Sequence, residues 1–298
     1  MDSGSLALQY LLSGITKGSI YAVVAIGFNL IYSATGVLNF AQGEFVMLGG
    51  MIAVSLVQLG LPLSLAVAGA VGAVCAVGCL LELSFFRRLR HHSVLHMIII
   101  TIGLSIVIQE VALHVWDEKV RSLPYFSGSE VSSIKLLGAA ISPQVLWVLG
   151  SVAAVVLLLH VFLRHTLKGR AMRACAANPE AAMLAGINIP NMRTLAFALS
   201  AALGGLAGCV ISPITLTHYE MGAPLAIKGF AAAILGGLGN PMAAVLGGLL
   251  VGVLEAFAVS LLPAAYNDVA AFAVLLLALF LRPHGLLGRP GGEAVREH

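Results

Sequence analysis

The sequence predicts an all-α fold: a polytopic helical membrane protein with about eight or nine membrane segments in one domain, residues 1–298. Three observations lead to this class. Of the 298 residues, 59% are hydrophobic and 10% are charged, whereas ordinary soluble domains carry about 25% charged residues. Apolar runs of about 20 residues, the length that crosses a bilayer as a helix, recur along the chain. The 33 glycines suit helices that pack closely in lipid.

The apolar runs define the predicted elements in chain order. Long spans are expected near Leu8–Ile31, Phe45–Leu59, Leu61–Phe86, Val94–Val115, Pro143–Leu163, Thr194–Ile211, Ala243–Leu262 and Val269–Leu281. One further apolar piece, Ile227–Leu238, would be about 18 Å long at 1.5 Å per residue, which is too short for a straight crossing. We therefore expect this piece to be half of a broken helix.

The distribution of lysine and arginine orients the chain in the membrane. Basic residues concentrate in the run 87–92, in the loop 164–193 and in the tail that starts Arg282-Pro283-His284, which places all three in the cytoplasm. The loop 116–142 has mixed charge and is expected outside. The C-terminus is expected in the cytoplasm. A literal count of crossings puts the N-terminus outside, unless the break 32–44 is re-entrant. With a net charge of only +3, the chain is not expected to bind nucleic acid.

The chain has two halves of similar plan, and each half contains one polar interruption flanked by glycine-rich apolar sequence. The interruptions are NFAQGEFVMLGG at Asn39–Gly50 and LGGLGNPMAAVLGG at Leu235–Gly248. Interrupted segments at corresponding positions are typical of a transport pathway, because unwound backbone inside a membrane must be buried in protein or line a water-filled cavity. Ordinary loops would give the same pattern, so both interpretations remain open. If the interruptions line a pathway, its predicted residues are Asn39, Gln42, Glu44, Asn240 and Glu255.

Charged side chains inside membrane spans are functional candidates, because placing them in lipid is expensive. Glu44 and Glu255 are the preferred candidates, since both are expected near the interruptions, although a structural hydrogen bond to free backbone amides explains them equally well. The remaining charged residues have structural explanations. Lys17 and Lys228 are expected to extend to the membrane surface. Glu82 is expected to form an ion pair with the arginines of the run 87–92. Glu110 and His114 are expected to pair with each other on one helix face.

One short segment inside the basic loop, NPEAAMLAG, is predicted to be a helix with both ends marked. Asn178 is a suitable N-cap, Pro179 fits the first helical position, and Gly186 supplies a left-handed stop. Glu180 suits the positive end of the helix dipole. So short a helix does not stabilise itself in water, and we expect another protein to cover it. The residues between its ends are apolar: Ala181, Ala182, Met183, Leu184 and Ala185.

The sequence lacks the motifs that would make the chain an enzyme or give it its own energy source. It contains no GxxxxGK[ST] phosphate loop, no HExxH and no GxSxG. We therefore expect no cofactor to be bound by this chain. The four cysteines, Cys75, Cys79, Cys175 and Cys209, have no accompanying histidine cluster and are expected to pack rather than to bind metal or form disulfides.

Three glycine pairs have the GxxxG spacing that allows two helices to approach closely. Close packing within the chain is favoured over a dimer interface, because the whole sequence is rich in glycine. The pairs are Gly14/Gly18, Gly204/Gly208 and Gly248/Gly252.

Several stretches together resemble one known family over nearly the whole chain. Glu180-Ala181-Ala182, three residues and then Gly186 are similar to the EAA-xxx-G core of the loop by which ABC importer permeases contact their ATPases. The longer pattern is incomplete here, since Ala196 stands where an isoleucine is usual. The stretches that resemble the LivH-type permeases of branched-chain amino acid uptake are Gly169–Ile189, Asn39–Phe45, Ala233–Glu255 and Arg282–Gly288.

The resemblance implies partners and a mechanism. It implies a second related permease, two ATP-binding subunits that carry ATP and Mg, and an extracytoplasmic substrate-binding protein, all at a bacterial inner membrane. It also implies alternating access, in which the helix 179–185 carries the closure of the ATPases into the spans. Three alternatives remain open: uptake of urea or short-chain amides by the same family, an ATP-independent secondary transporter, and a purely structural membrane subunit.

Overall fold

The computed structural model describes residues 3–88, 94–129, 132–136 and 139–261, together with residues 273, 276, 280, 285 and 286. Most of the described chain is helical. Several sequence-based predictions lie outside the described residues. These are most of the span Val269–Leu281, the tail Arg282-Pro283-His284, and Arg90, His91 and His92 of the basic run.

Ten α-helices follow one another within the described ranges. They are α1 Ser3–Thr35, α2 Gln42–Gln58, α3 Leu63–Leu81 with a π-helical turn at Glu82–Phe86, α4 Val94–Trp116, α5 Pro143–His165, α6 Leu167–Ala177, α7 Pro179–Leu184, α8 Ile189–Thr215, α9 Gly222–Gly236 and α10 Pro241–Leu261. Six of them are long and apolar enough to cross a membrane: α1, α3, α4, α5, α8 and α10. The predicted class, a polytopic helical membrane protein, is confirmed.

Two shorter apolar helices, α2 and α9, adjoin the predicted interruptions. They have 17 and 15 residues, so they are about 25 and 22 Å long. The prediction started α2 at Phe45, but the helix begins at Gln42. It includes the polar residues Gln42 and Glu44 because both have hydrogen-bond partners inside the protein. α9 likewise begins five residues before the predicted Ile227.

Helix α1 lies at the centre of the packing and meets α10 through glycines. A Cβ atom built on Gly18 would lie 2.8 Å from the carbonyl oxygen of Gly248, and one built on Gly252 would overlap the backbone of Gly18. Gly14 approaches Val253 in the same way. The two GxxxG pairs of α1 and α10 therefore pack against each other within the chain, as the sequence analysis predicted.

A second close contact joins α2 to α8. Gly49 faces Gly205, and Gly208 faces the backbone of Val46, so closely in each case that a Cβ atom would not fit. Phe45 of α2, which is fully buried, lies against Gly204 of α8 in the same region. The tight backbone contacts hold α2 rigidly against α8, and this positions the polar residues at the start of α2.

The long loop before α5 contains structure that the sequence did not predict. Strands β1 Ile134–Leu136 and β2 Ala139–Ile141 pair antiparallel within it. Earlier in the loop, the backbone of Arg121 exchanges two hydrogen bonds with Thr217, at 2.8 and 2.7 Å. The loop is therefore tied to the segment that follows α8.

Two side chains for which the sequence predicted a partner have a different partner in the structure. Glu82, fully buried, lies 3.6 Å from Arg193 Nη2 and accepts a hydrogen bond of 2.6 Å from Thr194 Oγ1. Arg87, from the run predicted to pair with it, is exposed. Because α8 packs against the π turn, an arginine distant in sequence lies beside Glu82 instead. His114 also differs, since its Nδ1 atom contacts the backbone carbonyl oxygen of Glu110, at 2.8 Å.

Candidate functional site

The short helix in the basic loop forms as the sequence predicts. α7 runs from Pro179 to Leu184, and the Asn178 side chain accepts a hydrogen bond of 3.0 Å from the backbone N–H of Ala181. At the other end, Gly186 has a φ of +83°, and its N–H donates to the carbonyl oxygen of Met183 at 2.9 Å. Both ends are capped by local interactions, so the helix is defined although it has only six residues.

The side chains of α7 divide into one buried anchor and an exposed apolar tip. Ala182 is buried, whereas Met183 is 61% exposed and Leu184 is 87% exposed. Glu180 and Ala181 are exposed as well. An exposed methionine and leucine on a capped helix form a surface on which another protein can pack.

A second helix in the same loop, α6, was missed by the sequence analysis. Thr166 caps it by accepting a hydrogen bond of 3.0 Å from the N–H of Gly169, and its apolar side chains Met172 and Cys175 are buried. This threonine cap, followed by apolar residues at helical spacing, was the signal available in the sequence. Burial raises the pKa of the Cys175 thiol, which suits a packed rather than a reactive cysteine.

Helix α6 connects α7 to the membrane-spanning helices. It packs against α5, α1 and α8, and α7 itself packs against α6 and α8. Gly169 lies against the backbone of Phe162 and Leu163 at the end of α5, where a Cβ atom would not fit. α7 is therefore held against packed helices at the basic-loop end of α5 and α8 rather than in an extended loop.

The first interruption separates α1 from α2 and its polar side chains are buried. Ser200 Oγ, on α8, lies 2.6 Å from Gln42 Oε1 and 3.0 Å from the carbonyl oxygen of Gly27. Gln42 Nε2 donates to the carbonyl oxygen of Ser200 at 3.3 Å. Asn39 Oδ1 accepts from the N–H of Ala41 at 3.2 Å. These contacts join α1, α2 and α8 at one point inside the bundle.

Glu44 follows Gln42 by two residues in α2 and is fully buried. One carboxylate oxygen accepts a hydrogen bond of 2.8 Å from Ser105 Oγ on α4, and the other has no hydrogen-bond partner among the described residues. The carboxylate lies directly against Gly222, the first residue of α9, where a side chain would collide with it. A negative charge at the start of a helix is favoured by the helix dipole.

The second interruption separates α9 from α10 and is bound to α1. The N–H of Gly239 donates to Asn29 Oδ1 at 2.6 Å, and Ser33 Oγ lies 3.4 Å from the carbonyl oxygen of Gly239. Asn240 is exposed and caps α10 by accepting hydrogen bonds from Met242 and Ala243. Both interruptions therefore meet the C-terminal part of α1.

Glu255 does not lie near the second interruption as predicted. It follows Pro241 by 14 residues in α10, which is about 21 Å along the helix axis. Its carboxylate oxygens instead contact Lys17 Nζ at 3.2 Å and Lys228 Nζ at 3.3 Å, and accept a hydrogen bond of 2.8 Å from the hydroxyl of Tyr21. We call these four residues the Glu255 cluster.

The Glu255 cluster also corrects the prediction for the two lysines. Neither simply extends to the membrane surface, because each forms an ion pair with Glu255, which is itself 4% exposed. The cluster joins α1, α9 and α10. Three charged residues in three apolar runs were the signal for it, since such charges pair inside membrane proteins, but the sequence did not show which residues meet.

The described ranges offer two kinds of feature that can carry a function. One is the exposed α7 with its rigid support. The other is the pair of helix interruptions, with buried polar side chains between packed helices. Within these ranges no three His, Cys, Asp or Glu side chains come together as a metal site would require.

Comparisons with known proteins agree on one family. Residues 10–279 match the model described as the permease component of the branched-chain amino acid transport system. The chain is 37% identical to the high-affinity branched-chain amino acid transport system permease protein LivH of Salmonella typhimurium, over 97% of both chains. It is 37% identical to the corresponding permease protein BraD of Pseudomonas aeruginosa, over 97% of this chain and 98% of that one. The ribose import permease protein RbsC of Haemophilus influenzae is more distant, at 24% identity over 92% and 84% of the two chains.

Proposed function

The chain belongs to the family of permease components of branched-chain amino acid transport systems, and we propose that it is the membrane-spanning subunit of an ATP-driven importer for branched-chain or other hydrophobic amino acids. The observation that carries the proposal is the capped helix α7, with its exposed Met183 and Leu184, in a chain of this family. Its place is a bacterial inner membrane.

Helix α7 is the proposed contact with the ATP-binding subunits. Its exposed methionine and leucine need an apolar socket on a partner, and Glu180 on its first turn offers a charged edge. ATP and Mg are bound by those partner subunits, and no cofactor is assigned to this chain. Residues Asn178–Leu184 and Gly186 form the proposed coupling surface.

The proposed coupling route runs from α7 to the first interruption. Closure of the ATPases displaces α7, which packs on α6 and α8. Helix α8 carries Ser200, whose hydroxyl meets both Gln42 of α2 and the backbone of α1. A shift of α8 therefore reaches the junction of α1 and α2 directly, and alternating access follows from rearrangement at that junction.

The polar side chains at the interruptions are the proposed lining of the pathway. A zwitterionic amino acid that passes through an apolar bundle needs polar groups to replace part of its hydration. Asn39, Gln42 and Glu44 are the candidates at the first interruption, with Asn240 at the second and Glu255 further along α10. Because Asn39, Gln42, Glu44 and Glu255 are buried among packed helices, we expect them to contact the substrate loosely and not to form a deep pocket. High-affinity selection therefore belongs to another subunit.

The remaining partners follow from the family's role as one component of a transport system. We propose a second related permease, two ATP-binding subunits on the cytoplasmic side and an extracytoplasmic substrate-binding protein. The loop 164–193 and the C-terminus lie in the cytoplasm in this arrangement, and the loop 116–142 lies outside.

The test is isolation of the tagged chain from its native membrane in a mild detergent, with partners identified by mass spectrometry, followed by transport assays of the recovered complex in proteoliposomes. We expect two ATPases, a second permease and a binding protein, and ATP-dependent uptake of leucine, isoleucine or valine. Uptake without any ATPase would replace the proposal with a secondary transporter. Uptake of urea or short amides, with no amino acid transported, would keep the ATP-driven class and overturn the substrate.

A further inference from the structure

A polar stripe runs along the N-terminal half of α1 and ends at the Glu255 cluster. Gln9, Ser13 and Lys17 follow one another at intervals of four residues, so they lie on one face of the helix. Gln9 and Ser13 are exposed, and the Lys17 side chain is 43% exposed. From Leu6 onward, the other exposed residues of this half of α1 are the apolar Leu6, Ala7 and Leu11.

Exposure differs sharply among the charged members of the Glu255 cluster. The Lys17 side chain is 43% exposed, that of Lys228 17% and that of Glu255 5%. Glu255 is surrounded by hydrogen-bond donors, from Tyr21 and from both lysines. Lys17 is therefore the member of the cluster that an approaching molecule reaches first.

A charged side chain that is 43% exposed, as that of Lys17 is, is not compatible with a face turned to hydrocarbon. A charged group near the middle of a membrane helix is expensive in lipid, and polar residues one and two turns before it extend the wet surface. Lys17 follows Leu6, the first residue of the α1 span, by 11 residues, or about 16 Å along the helix. This face of α1 therefore borders water or a polar molecule rather than acyl chains.

We propose that Lys17 receives the carboxylate of the amino acid in transit, and that the stripe Gln9–Ser13–Lys17 borders the aqueous approach to it. The inference rests on the proposed function, because it assigns a carboxylate-binding group to that importer. An ammonium has three N–H donors; Glu255 accepts one of them, which fixes the side chain, and the other two have no protein partner among the described residues. A carboxylate then exchanges water for a charge-assisted hydrogen bond to a group already in place.

Ser13→Cys is a suitable reporter, because Ser13 lies one turn before Lys17. The four native cysteines are replaced by serine, and the variant is assembled with the complete transporter in membranes. The rate of thiol modification is measured with an anionic and a cationic methanethiosulfonate reagent, with and without L-leucine. Leu250→Cys is the matched control, since Leu250 is 42% exposed on the apolar face of α10.

We expect Ser13→Cys to react at least tenfold faster than Leu250→Cys. The ratio of its rate with the anionic reagent to its rate with the cationic reagent should exceed the same ratio for a free thiol. L-leucine should slow its reaction severalfold. Adding Lys17→Gln should abolish both the anion preference and the protection by leucine, while Lys17→Arg, which keeps the charge, should retain both. A purely structural cluster would give no protection by leucine in the parent or in either Lys17 variant.

Three results would overturn the inference. They are a reaction at position 13 as slow as at position 250, protection by leucine that persists without Lys17, and protection by a short-chain phosphatidylglycerol but not by leucine, which would make the ligand a lipid phosphate. Leucine uptake by the same membranes distinguishes failure of the role proposed for Lys17 from failure of the proposed function. Normal uptake without protection rejects the role of Lys17 alone, whereas absence of uptake in the parent complex rejects the proposed function.

Discussion

Ser200 and Gln42, which are 158 residues apart, contact each other twice inside the bundle. The hydroxyl of Ser200 lies 2.6 Å from Gln42 Oε1, and Gln42 Nε2 donates to the carbonyl oxygen of Ser200 at 3.3 Å. Both residues are fully buried. Because the Ser200 hydroxyl also meets the carbonyl oxygen of Gly27, one serine holds α1, α2 and α8 together where α2 begins.

Ser200→Ala should destabilise the protein by about 1–3 kcal/mol, because the buried amide oxygen of Gln42 loses its hydroxyl partner. Thermal unfolding of the purified complex measures the effect. Ser151→Ala is the control, since the one hydrogen bond of the Ser151 hydroxyl within the described part of the chain goes to the carbonyl oxygen of Val148 on its own helix. Equal melting temperatures for the two variants would show that the Ser200–Gln42 contact contributes nothing to stability.

Leu184→Asp should abolish coupling to the ATPases while the permease still folds. Leu184 is 87% exposed, so the charge costs the isolated chain little, but it would have to enter the proposed apolar socket. We expect ATPase subunits to be lost from the purified complex and uptake to fall at least tenfold. Leu59→Asp, at a residue 78% exposed after the end of α2, is the matched control. Full uptake by Leu184→Asp would contradict the role of α7.

Glu180→Arg and Gly186→Val test the same helix at its two ends. The first change places a positive charge at the positive end of the helix dipole, and the second places a branched side chain where φ is +83°. Both should uncouple ATP hydrolysis from uptake in a permease that still inserts into the membrane. The measurement is ATPase activity and leucine uptake in one preparation, and normal uptake in both variants would reject the coupling role.

Gly252→Ala should weaken the contact between α1 and α10. The added methyl group overlaps the backbone of Gly18, so the helices must separate, at a cost of about 1–3 kcal/mol. Gly72→Ala, on α3, is the control: nothing lies within 4 Å of its added Cβ atom, and alanine favours a helix more than glycine does. A lower melting temperature for Gly72→Ala than for Gly252→Ala would contradict this packing.

Arg193→Gln should destabilise the chain by about 3–5 kcal/mol, because it leaves the carboxylate of Glu82 buried without its opposite charge. Arg87→Gln, at an exposed position nearer in sequence, should change stability by less than about 0.5 kcal/mol. The double variant Glu82→Gln/Arg193→Gln should be more stable than Arg193→Gln alone. Additive effects in this double-mutant cycle would show that the two side chains do not interact.

Features with local signals were predicted closely. The ends of α7 are set by Asn178 and Gly186, whose capping hydrogen bonds join residues three apart, and the long spans are set by runs of apolar residues. Features that depend on distant residues were predicted less well. Glu255 was placed near an interruption, whereas its partners Lys17 and Lys228 lie 238 and 27 residues away in the chain.

The sequence by itself determined the class of membrane protein, the approximate spans, the coupling-helix candidate and the family, because each depends on composition or on short-range patterns. Only the tertiary structure decided that Glu82 meets Arg193, that both interruptions meet the end of α1, and that three helices bring two lysines and a tyrosine to Glu255. The physical reason is that a buried charge must find a partner, while the helix packing, built here on close glycine contacts, selects which one.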